Sequence, residues 1–184
     1  MNNSKRMNPK LVNVLRVLAL IVVIALTVFL YLNRDKVGSL GVFGYPGIFL
    51  ISMLSNATLI LPVPGVLFTS AMGLVFNPWW VALAAGSGAA LGELSGYMAG
   101  FSGQAIIENK KWYDRLTVWM KNYGSLTVFI LALIPNPVFD IGGMVAGALR
   151  MPLWRFLLFC WLGKIGKMLI FSLGGASILK LFGL

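Results

Sequence analysis

Twice in this chain a Pro-x-Pro triplet stands inside a run of apolar residues: Pro62-Val63-Pro64 within "LILPVPGVLF" and Pro135-Asn136-Pro137 within "LALIPNPVFDIGG". Each proline removes a backbone donor and its ring clashes with the turn before it, so neither run can form one straight helix. In hydrocarbon every freed carbonyl costs several kcal/mol unless protein or trapped water meets it, which confines such a break to a protein interior or a wet cavity. Whether these runs lie in water or in lipid is therefore the first question. With 59% of 184 residues hydrophobic, 11% charged and a mean hydropathy of +0.87, the chain carries more apolar surface than one water-soluble core could hide. It reads as an integral membrane protein. No linker, low-complexity tract or charge block divides it, so one membrane domain is expected over residues 37–184, preceded by a basic N-terminal segment and a first span in residues 1–36.

That first span, Leu11 to Leu32, follows Lys5, Arg6 and Lys10 and is long enough to cross the ~30 Å hydrocarbon core as a helix. A signal peptide shares the basic start, but its apolar part is shorter and ends in a small-x-small site, where this chain has "FLYLNRDK". An uncleaved anchor is expected. After Asn77-Pro78-Trp79-Trp80, whose tryptophans suit a membrane–water interface, "VALAAGSGAALGELSGYMAG" can cross again. On it Gly88, Gly92, Gly96 and Gly100 recur every fourth residue and form a stripe on which another helix can pack closely. From Gln104 to Tyr123, Trp112, Leu116, Trp119 and Tyr123 share a helical face among Lys110, Lys111, Arg115 and Lys121, the pattern of an amphipathic helix lying in the headgroup layer. A helix packed on its own domain in water has the same pattern. "MPLWRFLLFCWLGKIGKMLIFSLGGASILKLF" supplies a final span.

The two proline motifs belong to an internal repeat. Pro62 and Pro64 match Pro135 and Pro137 at an offset of 73, and after one inserted residue Pro78 matches Pro152, Gly92 matches Gly166 and Gly100 matches Gly174 at an offset of 74. Glycine and proline are common in such chains, so coincidence is the rival explanation. Each half, about 45–101 and 124–184, then holds a proline-broken hairpin, an interfacial turn with Pro and Trp, and a glycine-bearing span. Broken helices in corresponding positions of two halves point to a substrate site at the repeat interface near mid-membrane. Basic residues flank the N-terminal side, the amphipathic stretch and the second turn (Arg150, Arg155), whereas the Asn77–Trp80 turn has none, so the charged parts are expected in the cytoplasm. Hairpin one would dip in from outside and hairpin two from inside, their prolines meeting; that both hairpins cross fully stays open. The expected fold class is an all-α membrane protein, an inverted repeat of two re-entrant hairpins with transmembrane helices and one interfacial amphipathic helix.

Charge chemistry narrows the function. The chain has no histidine and a single Cys160, which excludes an internal disulfide and the usual zinc, haem, Cys-His and Ser-His constellations. Neither enzyme activity nor a cofactor is expected. The net charge of +10 is scattered between apolar segments rather than gathered into a basic face, which favours anionic lipid headgroups over nucleic acid as partners. Glu93 and Asp140 are the carboxylates inside apolar segments, and an intramembrane ionisable group is a functional candidate because burying it unpaired is costly. The alternative is purely structural pairing with a cation. Lys164 and Lys167 are the available partners, and the repeat, which sets Lys167 against Glu93, suggests a Glu93–Lys167 pair across the pseudo-two-fold. Asn136 can offer an amide to a headgroup or simply satisfy broken backbone. Arg150 and Arg155 can bind phosphate at the cytoplasmic mouth or serve as ordinary anchors.

Taken in order, "LPVPGVLFTSAMG", "GAALGELSGYMAGFSG" and "YGSLTVFILALIPNPVFDIGGMVAGALRMPLWRF" resemble the VTT domain family, also called DedA or SNARE-associated Golgi proteins, over roughly Tyr45 to Gly175. The combination is fairly specific, though none of its parts is so alone. The resemblance implies two opposed re-entrant hairpins and an association with lipid scrambling or with flipping of lipid carriers such as undecaprenyl phosphate. In bacterial members an acidic residue follows the first Pro-Gly, where this chain has Val66, and an arginine pair surrounds the second proline motif, where residues Leu131 to Phe139 are neutral. The expectation is a lipid scramblase or flippase-type lipid transporter of a bacterial cell membrane, with a cytoplasmic N-terminus. A small-solute or proton-coupled transporter and a non-transporting scaffold are the alternatives, and association with a second copy is left open.

Overall fold

The computed structural model describes residues 41–57, 65–103, 110–135 and 138–181. The expected first span, Leu11 to Leu32, and Pro62, Pro64, Asn136 and Pro137 lie outside the described residues. All regular structure among the described residues is helical: α1 Gly41–Ala57, α2 Gly65–Val75, α3 Pro78–Gly92, α4 Leu94–Phe101, α5 Lys110–Tyr123, α6 Ser125–Leu133, α7 Phe139–Ala148 and α8 Leu153–Leu181.

Two long rods form the centre. The first starts where the Asn77 side chain accepts the Trp79 N–H at 3.0 Å and Pro78, lacking a donor, takes the first helical position. α3 and α4 then continue almost as one helix, because Glu93 at their joint still donates its N–H to Ala89 O (3.2 Å) and accepts that of Tyr97 (3.1 Å). At 1.5 Å per residue the pair spans about 36 Å. The second rod, α8, is 29 residues long and contains Leu153–Gly175, apolar and long enough to cross a bilayer. The rods run antiparallel, tied at one end by the Ser172 hydroxyl donating to Pro78 O (2.9 Å), midway by the Trp161 indole donating to Ser87 Oγ (2.8 Å), and at the other end by the Tyr97 hydroxyl donating to Met151 O (2.5 Å).

Four shorter helices clasp the rods in a related way. α1 runs alongside α3, from Gly44 against the Phe76 ring to Ala57 beside Gly92, and α2 leads back along α8, where Thr69 Oγ1 donates to Met168 Sδ (3.3 Å) and Ser70 Oγ to Phe171 O (3.0 Å). In the second half α6 runs along α8, with Gly163 against Phe129 and Leu133, and α7 leads back along α4, with Gly147 against Tyr97 and Phe101. In each half, then, one arm packs on its own rod and the other arm on the rod of the other half.

The closest crossings repeat as well. Gly73 meets the Ser172 backbone and Gly175 the Ser70 backbone, while Gly147 meets Tyr97 and Gly100 meets Met144. Partners in the two halves are 74 or 75 residues apart, the same spacing as the sequence matches. One expected pairing shifts: the counterpart of Gly100 is Gly175, since a Cβ on Gly174 would point into open space.

Two other expectations are corrected. The glycine stripe serves two helices instead of one, because Gly88 and Gly92 abut α1 whereas Gly96 and Gly100 abut α7, the change of partner falling at Glu93. On α5 the supposed common face divides: Leu116 is fully buried and Met120 joins it against α6 and α7, while Trp112, Trp119 and Tyr123 are exposed. A helix holding its domain with one face and presenting tryptophans and lysines on another suits the headgroup layer.

Buried apolar residues form two clusters, one around Ile48, Phe68, Phe76 and Met168 and one around Tyr97, Leu116, Phe156 and Cys160. The outer surface is apolar too, with Leu50, Leu54, Leu91, Met98, Leu162 and Ile170 all exposed, more than a water-soluble monomer presents.

Candidate functional site: a charged centre between the two halves

Along α8, Cys160 belongs to one apolar cluster and Met168 to the other, and between them lie Lys164 and Lys167, both buried. Lys164 Nζ forms an ion pair with Glu93, donates to Asn56 Oδ1 at 2.8 Å, and stands 4.6 Å from the centre of the Phe139 ring. These contacts come from four elements: α1, the α3–α4 joint, α7 and α8. The Asn56 amide nitrogen donates to Ser52 O (2.8 Å), which turns its oxygen towards the lysine. An ammonium has three donors, and here a carboxylate, an amide oxygen and an aromatic face meet them. Two buried charges are tolerable only with pairing of this completeness.

The expected Glu93–Lys167 pair does not form; Lys164, one helical turn earlier, takes Glu93. At Lys164 the end of α1 and the start of α7 supply Asn56 and Phe139 as further partners, and strict two-fold equivalence loses to that fuller set. Lys167 is only 9% exposed and makes no hydrogen bond or ion pair among the described residues. Asp140, in the first turn of α7, is exposed and adjoins Phe139, whose ring Lys164 faces. Its backbone oxygen lies against Gly96, one turn from Glu93. The structure thus assembles Glu93, Asp140, Lys164 and Lys167 from both halves at the middle of the rods, with two charges of each sign. Among the described residues no group of three His, Cys, Asp or Glu side chains converges on a metal position.

Arg150 and Arg155 belong elsewhere. Both are exposed at the α5 end, Arg150 5.9 Å from the Phe101 ring and Arg155 5.2 Å from the Trp154 ring. Arg150 also holds a left-handed backbone (φ 52) in the turn that closes α7, where Met151 N–H reaches back to Ala146 O at 3.0 Å. A residue other than glycine costs about 1–2 kcal/mol there. Pro135 is exposed and outside any helix, following Ile134 in extended conformation. An open apolar groove of about 330 Å³ runs along the outside of the rods, lined by Ser87, Ala90, Leu91, Leu157, Leu158 and Trp161.

Sequence reasoning missed Asn56 and Phe139. Asn56 stands in the polar interruption "SNAT" before the first proline motif, but nothing in that string indicates which lysine its amide faces.

An all-helical body with a lipid-like outer surface, built from two related halves around a charged centre, defines an all-α membrane protein. More particularly, the chain belongs to the VTT domain family, whose model matches residues 63–177. It is similar to the vacuole membrane protein KMS2 of Arabidopsis thaliana (33% identical over 91 residues, 47% of this chain and 21% of the relative) and to KMS1 of the same plant (33% over 66 residues, 36% and 15%). The vacuole membrane protein 1 homolog of Dictyostelium discoideum is 27% identical over 111 residues, covering 46% of this chain and 28% of the relative. The chain therefore spans less than a third of the length of these relatives. No solved structure matches it.

Proposed function

We propose that this protein moves phospholipids between the leaflets of a bilayer, without a chemical step. The observation that carries the reading is the four-charge centre, which lies where the arms of both halves converge on the middle of the rods. Ionised side chains at such depth are expensive and are kept where something polar passes or binds.

α2, α6 and α7, of 11, 9 and 10 residues, are about 17, 14 and 15 Å long, too short to cross hydrocarbon alone. In this reading the two hairpins enter from opposite faces and stop near the centre, so a headgroup has a short polar stretch to traverse while its acyl chains stay in lipid along the apolar groove. Arg150, Arg155 and α5 line the cytoplasmic entrance, where anionic headgroups gather, and the N-terminus lies on the same side of the cell membrane.

The test is reconstitution of the full chain into vesicles carrying a fluorescent phospholipid, followed by an impermeant quencher. Quenching beyond the outer-leaflet share, absent from protein-free vesicles, is expected. Quenching that stops at that share in vesicles shown to contain folded protein would overturn the reading.

A further inference from the structure

The centre holds two charges of each sign, and among the described residues one ion pair closes. Lys164 and Glu93 satisfy each other, with Asn56 and Phe139 completing the lysine's surroundings. That leaves Lys167, nine-tenths buried with no hydrogen-bond or ion-pair partner among the described residues, and Asp140, exposed with no ion-pair partner there. They stand on α8 and α7, Lys167 three residues beyond Lys164 and Asp140 next to Phe139, whose ring Lys164 faces, and they form no ion pair with each other.

We propose that Lys167 and Asp140 select the headgroup, Lys167 taking a phosphodiester and Asp140 the ammonium group of the same zwitterionic phospholipid. The inference rests on the lipid-moving reading above and names its substrate class. The stem of Lys167 is buried, and its ammonium, without an ion-pair partner among the described residues, can take a passing phosphate by a charge-assisted hydrogen bond. A lipid with a lone phosphate would meet Lys167 but also the Asp140 carboxylate, and that like-charge contact discriminates against it. A zwitterion meets an opposite charge at each end. After Glu93 and Lys164 cancel, the residual site is neutral, which fits a neutral headgroup and not an anionic carrier lipid.

Vesicles reconstituted with the full chain test this with phosphatidylethanolamine, phosphatidylcholine and phosphatidylglycerol, each labelled on an acyl chain so that the headgroup is intact. The two zwitterions should move about tenfold faster than phosphatidylglycerol, the scale of one charge-assisted hydrogen bond. Asp140→Asn keeps the shape and removes the charge. It should abolish that preference, slowing the zwitterions and leaving phosphatidylglycerol as fast or faster. Lys167→Gln should slow all three; because Lys167 is buried and its variant can fail to fold, the ratio in Asp140→Asn, checked for an unchanged melting temperature, decides. A wild type without headgroup preference, or an Asp140→Asn variant that keeps the wild-type ratio, overturns the inference while the lipid-moving reading stands. Absence of any lipid movement overturns both. Radiolabelled glycerophosphoethanolamine in the same vesicles separates the sources of the headgroup: its entry without lipid movement would assign the site to a soluble zwitterion and overturn the lipid assignment.

Discussion

Lys164 shows how much one side chain can decide in a membrane interior. Its ammonium draws α1, the α3–α4 joint and α7 onto α8, so removing it strands the Glu93 carboxylate and frees the Asn56 amide at once. Lys164→Met should therefore cost about 3–5 kcal/mol and appear as a large drop in melting temperature in detergent. The paired replacement Glu93→Leu with Lys164→Met leaves no buried charge and should regain most of that loss. Tryptophan fluorescence on heating measures both. If Lys164→Met melts with wild type, the pair does not hold the centre together. The acids and lysines were legible as candidates because charges are rare in apolar runs, but which lysine serves Glu93 was not, since the two lie three residues apart on one helix and only neighbouring helices distinguish them.

Among the elements, glycines decide how closely the arms approach the rods. A Cβ on Gly73 would run into the Ser172 backbone and one on Gly147 into the Tyr97 backbone, and backbone, unlike a side chain, cannot swing aside. Gly73→Ala and Gly147→Ala should each destabilise by about 1–3 kcal/mol, by similar amounts because the contacts are repeats of one another. Gly174→Ala, where the added methyl meets nothing, should be neutral or stabilising by up to about 1 kcal/mol through helix propensity. Melting temperatures of the three variants check this, and equal losses at Gly147 and Gly174 would contradict the crossing geometry. The period of four along Gly88 to Gly100 was visible in the sequence. That the stripe changes partner at Glu93 was not, because a one-dimensional period says how close a neighbour comes and not how many neighbours there are.

At the scale of the whole molecule, six exposed basic residues gather at one end. Lys110, Lys111, Arg115 and Lys121 on α5 join Arg150 and Arg155 there, whereas the Asn77–Trp80 turn at the other end of the first rod has no charge and exposes Trp79 and Trp80. The positive-inside rule predicts that the α5 end is the cytoplasmic one. In intact cells a cysteine at Lys110 should resist a membrane-impermeant thiol reagent, while one at Asn77 should react. Cys160 is fully buried and should stay silent in either background. Labelling at position 110 from outside would show the opposite orientation.

Membrane class, the spacing of the two halves and the buried carboxylate of Glu93 were legible in the sequence because each follows from local chemistry: hydropathy sums along a chain, prolines break helices wherever they stand, and a charge in an apolar run is conspicuous. Tertiary structure alone decided that Lys164 closes the pair with Glu93, that Asn56 and Phe139 complete it, and that Lys167 and Asp140 have no ion-pair partner among the described residues. Those outcomes depend on how helices distant in sequence cross, and crossing geometry is set by backbone contacts at Gly73, Gly100, Gly147 and Gly175, where a shift of one residue, as between Gly174 and Gly175, changes which face meets which.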